Sequence, residues 1–228
     1  EQEYFLEQRM VKDAEEIACT KAAIAAAEAG FDKLLPRLKT GMTEKDLADE
    51  LHYLVSKEGA EAMSFGTIVG SGARGALAHA FPTSKKIEDG DMVVVDFGVL
   101  KDGYCSDMTR TVAIGYASDS MRSVYDIVLR AQLESMKHIK AGALCNEVDA
   151  AARRVIADAG YGNCFGHGLG HSVGLFIHEN PRFSPKCNAL LKPGIVITVE
   201  PGIYIPGQFG VRIEDLVVVT EDGFVNLA

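Results

Sequence analysis

Two nine-residue segments, Gly90–Gly98 (GDMVVVDFG) and Gly194–Gly202 (GIVITVEPG), carry glycine, apolar β-branched residues, a carboxylate and a final glycine in the same order. This internal repeat limits the fold more than any other feature, because a duplicated unit with an apolar face buries that face against its copy. Asp96 falls on Glu200 and Gly98 on Gly202, and upstream the HAFP run from His79 resembles the HENP run from His178. The elements leading into each segment repeat as well. Asp13-x-x-Glu16 reads as a capping box that opens an alanine-rich helix closed by Gly30. Thr43-x-x-Asp46 opens a second helix, with Leu47, Leu51 and Leu54 on one face and Gly59 as its stop. In the second half helices are expected over 121–139 and 146–159, the latter capped by Gly160. Each pair leads into a β-rich hairpin, one turning around Lys101-Asp102-Gly103 and the other spanning 194–219. The expected fold class is α+β: one domain over 1–228, its halves related by a pseudo-twofold axis, with a central antiparallel sheet and outer helices. No Pro/Ser-rich linker or low-complexity segment separates the halves.

Strand pairing then brings acids together. A two-residue loop at Lys101-Asp102 sets Asp96 directly opposite Asp107. The alternative loop, Asp102-Gly103, makes them diagonal neighbours on the same face, and a three-residue loop breaks the pairing. In the second hairpin a three-residue loop at Pro206-Gly207-Gln208 sets Glu200 opposite Glu214. Any one of these acids alone reads as solvated or salt-bridged. Four carboxylates within apolar strands, however, repel one another and are costly to bury unless cations neutralise them. Oxygen-rich ligation with one imidazole suits Mn, Fe, Co or Zn, and shared carboxylates bridge two ions.

The histidines divide by symmetry. His79 and His178 correspond across the repeat and flank the site, whereas His171 falls opposite Gly72 and has no counterpart. His171 is therefore the expected ligand, with His79 and His178 as hydrogen-bonding groups near the substrate. His167 lies four residues before His171, but Gly166, Gly168, Gly170 and Gly174 argue against a helical HxxxH pair, which leaves it a supporting or structural role. His52 and His138 lie on expected helices without acidic company and read as surface or packing residues.

Composition narrows the alternatives. No apolar run approaches the roughly 20 residues that span a bilayer, and the charged start, EQEYFLEQRM, is unlike a secretory signal. A soluble protein is expected. A formal net charge of −9 without a long basic run argues against nucleic acid as a partner. Cys19, Cys105, Cys145, Cys164 and Cys187 are odd in number and widely spaced, which fits neither a disulfide framework nor a CxxC site and points to the cytoplasm. The chain begins at Glu1 and not at Met, as expected of a processed form or an excised domain. Gly70-Ser-Gly-Ala-Arg-Gly75 matches a dinucleotide pattern, but Pro82 follows within seven residues and a hairpin comes next, so a structural glycine loop is expected.

Taken in order, VVVDFG, GYCSDMTRT, GHSVGLFIHENP, TVEPGIY and GVRIEDLVVV resemble the pita-bread metallopeptidases over essentially the whole chain. The short spacing from Glu200 to Glu214 is similar to the Xaa-Pro branch (prolidase and aminopeptidase P) more than to the methionine aminopeptidases. The resemblance implies hydrolysis of the bond before proline in Xaa-Pro dipeptides or at peptide N-termini. It implies two divalent metal ions, Mn first, with Co, Zn or Fe as alternatives. The family's ligands fall on Asp96, Asp107, His171, Glu200 and Glu214, and its outer histidines on His79 and His178. Glu200 is the implied proton shuttle, and His79 and His178 the implied donors to the oxyanion and the bound peptide. Arg182 resembles the position at which some prolidases hold a dipeptide carboxylate, and Tyr204 is expected to line the site. Arg212, on the face of Glu214, either steadies the site or contacts substrate. Two departures stand out: Ser172 replaces a more usual Gly, narrowing the approach to His171, and the N-terminal domain usual in Xaa-Pro peptidases is absent. A peptide is the expected partner, with no membrane, and a homodimer is expected of the full-length form. The alternatives are a methionine-aminopeptidase-like enzyme and a non-catalytic binding module; the intact set of five ligands argues against the latter.

Overall fold

The computed structural model describes residues 2–228. Among these, α1 (Gln2–Gln8), α2 (Ala14–Leu34) and α3 (Glu44–Lys57) precede the first strands, and α4 (Asp119–Met136) and α5 (Cys145–Asp158) open the second half. The first half holds β1 (Ala62–Met63), β2 (Ile68–Ser71), β3 (Met92–Phe97), β4 (Val99–Lys101), β5 (Tyr104–Cys105) and β6 (Met108–Ala113). The second holds β7 (Gly170–Ser172), β8 (Glu179–Phe183), β9 (Val196–Val199), β10 (Gly202–Ile205), β11 (Phe209–Arg212), β12 (Asp215–Val219) and β13 (Phe224–Asn226). The sheets run β13-β12-β9-β7-β8, β2-β3-β6, β1-β4-β5 and β10-β11. Every pairing is antiparallel. A bridge between Thr109 and Glu214 joins β6 of one half to the start of β12 in the other.

The caps behave as the sequence implies. Asp13 Oδ1 accepts from the backbone N–H groups of Glu15 and Glu16, both at 2.9 Å, and Glu16 reaches back to the Asp13 N–H at 2.8 Å. Thr43 and Asp46 make the same reciprocal pair on α3. Gly30, however, does not close α2, which continues to Leu34. Its role is close packing: a Cβ there would lie 2.5 Å from Val55 Cγ1 and 3.0 Å from Val55 Cα, so glycine lets α2 approach α3. Helix α1, unanticipated in the sequence, precedes both. His138 lies not on a helix but in the turn after α4, where His138 and Ile139 donate to carbonyls three residues back.

The first hairpin pairs Lys101 with Tyr104, so its loop is Asp102-Gly103, with φ of 51° and 79°. Both residues lie in the left-handed region that a tight hairpin requires and that Asp and Gly tolerate. Asp96 therefore pairs with Thr109 and is the diagonal neighbour of Asp107. In the second hairpin Ile205 pairs with Phe209 across Pro206-Gly207-Gln208. The flanking pairs Val199–Asp215 and Gly202–Arg212 set Glu200 against Glu214. Gly70-Gly75 is no nucleotide loop, since β2 leads into antiparallel β3 and lacks the parallel crossover such a motif needs.

Each half has its own apolar core. In the first, Ala27, Phe31, Leu47 and Leu51 pack on Val93, Val95 and Phe97. In the second, Val124, Val128, Val148 and Ala152 pack on Ile197, Val199 and Val217. Strand alternation does the rest. The periodicity that turns Val93, Val95 and Phe97 to the helices turns Asp96 the other way, and Glu200 and Glu214 likewise point away from Ile197, Val199 and Val217.

Candidate metal centre and substrate cavity

Three buried carboxylates from the two halves, Asp96, Asp107 and Glu214, bring oxygen atoms within 4.8 Å of one another. His171, on β7, stands beside them: its Nε2 lies 3.5 Å from Asp107 Oδ2 and 3.4 Å from Glu200 Oε1. The five residues nominated as ligands thus converge on one point between the halves. Threonines hold them in place. Thr109 Oγ1 donates to Glu214 Oε2 at 2.6 Å, and Thr198 Oγ1 donates to Glu200 Oε1 at 3.0 Å while accepting from the His171 N–H at 2.9 Å.

The cluster is electrostatically unfavourable without cations. Burial, then the charge of Glu214, pushes Asp107 well above the carboxylate range, and burial followed by Glu200 does the same to Glu214. Burial raises Glu200 to about 8, against the lowering effect of Arg212. Burial, then His178, lowers His171 to about 4, so its imidazole is neutral near neutral pH. His171 Nδ1 faces the Ser172 carbonyl at 3.2 Å, which places the ring proton there and leaves the Nε2 lone pair facing Asp107 and Glu200. Asp96 Oδ1 is buried without a hydrogen-bond partner. An acceptor opposed to acceptors, beside an orphaned carboxylate oxygen, fits a divalent cation bound by oxygens and one imidazole.

Beside the cluster opens a cavity of about 700 Å³, lined by His79, His178 and Arg182 and by the apolar Phe65, Ile68, Phe81, Ile177 and Phe183. The His178 and His171 rings meet edge to face with centroids 4.5 Å apart. Burial, then the charge of Arg182, lowers the His178 pKa.

Other expectations need correction. Tyr204 is not part of the cavity wall. It is buried behind Arg212, where its hydroxyl accepts from Arg212 Nη1 at 2.7 Å and meets His167 Nε2 at 2.8 Å. Burial lowers His167 to about 4, so this ring too is neutral, with its Nδ1 proton on the Gly168 carbonyl and its Nε2 accepting from Tyr204. Arg212 does reach the cavity wall, but its guanidinium is committed: it donates to Asp96 Oδ2 at 2.6 Å, Thr109 Oγ1 at 3.1 Å and the Ala78 carbonyl at 3.2 Å. Ser172 does not narrow the approach to His171, because its buried Oγ turns into the sheet and donates to the Val196 carbonyl at 2.6 Å. Sequence reasoning missed Arg110, which donates to the Thr109 and Glu214 carbonyls and pairs with Asp215, stapling β6 to β12 beside the ligands. Its signal was an arginine alternating with threonines in a strand that begins one residue after Asp107.

Duplicated halves that meet at a buried carboxylate–imidazole cluster define a pita-bread domain. The sequence matches the profile of Metallopeptidase family M24 over residues 18–221, and the chain belongs to that family. It is 46% identical over 215 residues to the uncharacterized peptidase YqhT of Bacillus subtilis, covering 94% of this chain and 61% of the relative. It is 44% identical over 219 residues to the Xaa-Pro dipeptidase of Pyrococcus furiosus, covering 96% of this chain and 63% of that one. The structure of X-Pro aminopeptidase from Thermotoga maritima superimposes with a TM-score of 0.98 at 45% identity, over 100% of this chain and 64% of the other. The chain thus spans about three-fifths of the length of the curated relatives it matches.

Proposed function

We propose that this domain is the catalytic part of a metallopeptidase that cleaves the bond before proline, in Xaa-Pro dipeptides or at peptide N-termini. The observation that carries the reading is the convergence of Asp96, Asp107, His171, Glu200 and Glu214 beside a cavity that also holds His79, His178 and Arg182. The five residues would hold two divalent ions; manganese is the proposed metal, with Co, Zn or Fe as alternatives. Such ions, when bound, supply Lewis acidity that makes a water nucleophilic near neutral pH.

The chain's own groups do the rest. Glu200, beside His171 in the cavity wall, takes a proton from the attacking water and returns it to the leaving nitrogen. His178 and His79 donate hydrogen bonds to the carbonyl oxygen and the bound peptide. Arg182, paired with His171 across β7 and β8, meets a peptide carboxylate in the cavity. Arg212 and Tyr204 act on the acids and not on the substrate, through the contacts that fix Asp96. The aromatic and aliphatic wall accommodates a proline ring, which presents no N–H to be satisfied.

The five cysteines are free, and no helix among the described residues is long and apolar enough to cross a membrane. The free cysteines support the proposed cytoplasmic setting, in which the full-length form would act as a homodimer. A substrate panel tests the reading. Mn²⁺-loaded protein, in its full-length form, is expected to hydrolyse an Ala-Pro dipeptide or an Ala-Pro-led peptide and to leave a Met-Ala peptide intact. Preference for Met-Ala would favour a methionine-aminopeptidase-like enzyme, and no turnover with any metal would favour a binding module.

A further inference from the structure

We propose that Glu44 is a positioning residue that sets substrate affinity by holding the segment that carries His79 and Phe81 into the cavity. The proposal rests on the peptidase reading of the site. Glu44 is the first residue of α3, and its carboxylate is fully buried, far from any ligand in the sequence. It closes a loop. Oε1 accepts from the N–H and hydroxyl of Ser71, each at 2.9 Å, and Oε2 accepts from the N–H of Thr83 at 3.0 Å and its hydroxyl at 2.7 Å. Both ends of segment 71–83 are thus tied to one side chain. Arg74, within the segment, donates Nε to the same carboxylate at 3.0 Å and Nη2 to the Phe81 carbonyl at 2.6 Å. Ala78, His79 and Phe81 are the parts of the segment that line the cavity, and the Ala78 carbonyl also accepts from Arg212.

The internal repeat argues that this hub is not simply what the fold demands at that corner. The backbone bonds Glu44 N–H to Lys85 O and Lys45 N–H to Thr83 O recur in the second half as Cys145 N–H to Ala189 O and Asn146 N–H to Cys187 O. Glu44 and Thr83 therefore correspond to Cys145 and Cys187. The main-chain anchor suffices there with two thiols, whereas the first half adds a buried carboxylate with donors from Ser71, Arg74 and Thr83. Polar networks so fully satisfied rigidify what they hold. Phe81 keeps 68% of its surface exposed and Leu77 56%, so little apolar packing fixes the tip of the segment from outside. Its geometry depends on the carboxylate at its base.

The test uses the full-length protein with Mn²⁺ and an Ala-Pro substrate, in Glu44→Gln, Thr83→Val and Thr83→Ser. Thr83→Val removes one donor at nearly constant volume and keeps the proposal testable if Glu44→Gln does not fold; Thr83→Ser restores the hydroxyl. Glu44→Gln and Thr83→Val are expected to raise KM on the order of tenfold with kcat and Mn²⁺ affinity little changed, and Thr83→Ser to return towards wild type. Amide exchange in 71–83 should quicken, and the His79 ring resonances should shift or broaden, in the two impaired variants alone. Folded variants with unchanged KM, or with unchanged exchange and His79 resonances, would overturn the proposal. If the wild type cleaves no Xaa-Pro peptide, the peptidase reading fails on its own, and the exchange and His79 measurements still decide whether Glu44 positions the segment.

Discussion

Asp107→Asn is expected to raise the melting temperature of the metal-free protein at pH 8 while removing the stabilisation that divalent cations give. Asp107 belongs to the carboxylate group with Asp96 and Glu214, and its Oδ2 also faces His171, so it links the two parts of the ligand set. Without cations it is a liability: burial and the charges of Glu214, Asp96 and Glu200 all oppose its ionisation. A neutral isostere relieves that repulsion. Removing one like charge from such a cluster is expected to stabilise by about 1–3 kcal/mol, and each kcal/mol moves the midpoint of a domain this size by roughly 2–4 °C. With cations the sign reverses. Ligand at a hundred times its Kd stabilises by about 2.7 kcal/mol, and loss of the Asp107 carboxylate should weaken binding by more than the roughly 10–100-fold seen when an outer partner is lost. Melting curves with EDTA and with Mn²⁺ measure both arms. A variant less stable than wild type in EDTA, or equally stabilised by Mn²⁺, would count against Asp107 as a ligand.

A second large effect concerns pH. The raised carboxylates mean that the metal-free fold binds more protons than the unfolded chain between the ordinary carboxylate range and their folded values, which for Glu200 is about 8. Their contribution to stability is thus lost as pH rises through that window. His167 and His171, lowered to about 4, act in the opposite sense: their neutral buried rings lose stability as pH falls below the unfolded value near 6.5. Above about pH 7, where the unfolded counterparts of His167 and His171 are mostly neutral, the raised carboxylates dominate. There the metal-free protein is expected to lose about 1.4 kcal/mol per pH unit for each carboxylate still protonated in the fold. Saturating Mn²⁺ should invert the slope, because cations compete with protons for the same oxygens. Unfolding in urea from pH 5 to 9, with EDTA or Mn²⁺, gives the two curves. A metal-free stability that climbs steadily from pH 6.5 to 8 would contradict the electrostatics of the site.

Much of this was legible in the sequence because duplication converts one-dimensional spacing into symmetry. Gly90 and Gly194 both adopt positive φ, at 86° and 88°, entering equivalent strands, so Asp96 and Glu200 could be aligned without coordinates. The unmatched His171 could then be separated from the matched His79 and His178. What escaped depended on contacts between distant residues. Gly30 reads as a helix stop until Val55 is seen against it. The register of the first hairpin hung on whether Asp102 takes a left-handed conformation, which aspartate tolerates but does not demand. Tyr204 has the parity of a site residue, yet Arg212 and His167 occupy its hydroxyl from partners that sequence spacing does not reveal. Glu44 and Arg110 look like ordinary surface charges in sequence, and only the meeting of segments far apart in the chain gives them work.

The central claim is that the five residues form one centre for two cations. Calorimetric titration of the metal-stripped protein with Mn²⁺ tests it most directly. Two ions per chain are expected, with Asp107→Asn weakening both; one ion, or none, in the folded wild type would contradict a dinuclear centre built from Asp96, Asp107, His171, Glu200 and Glu214.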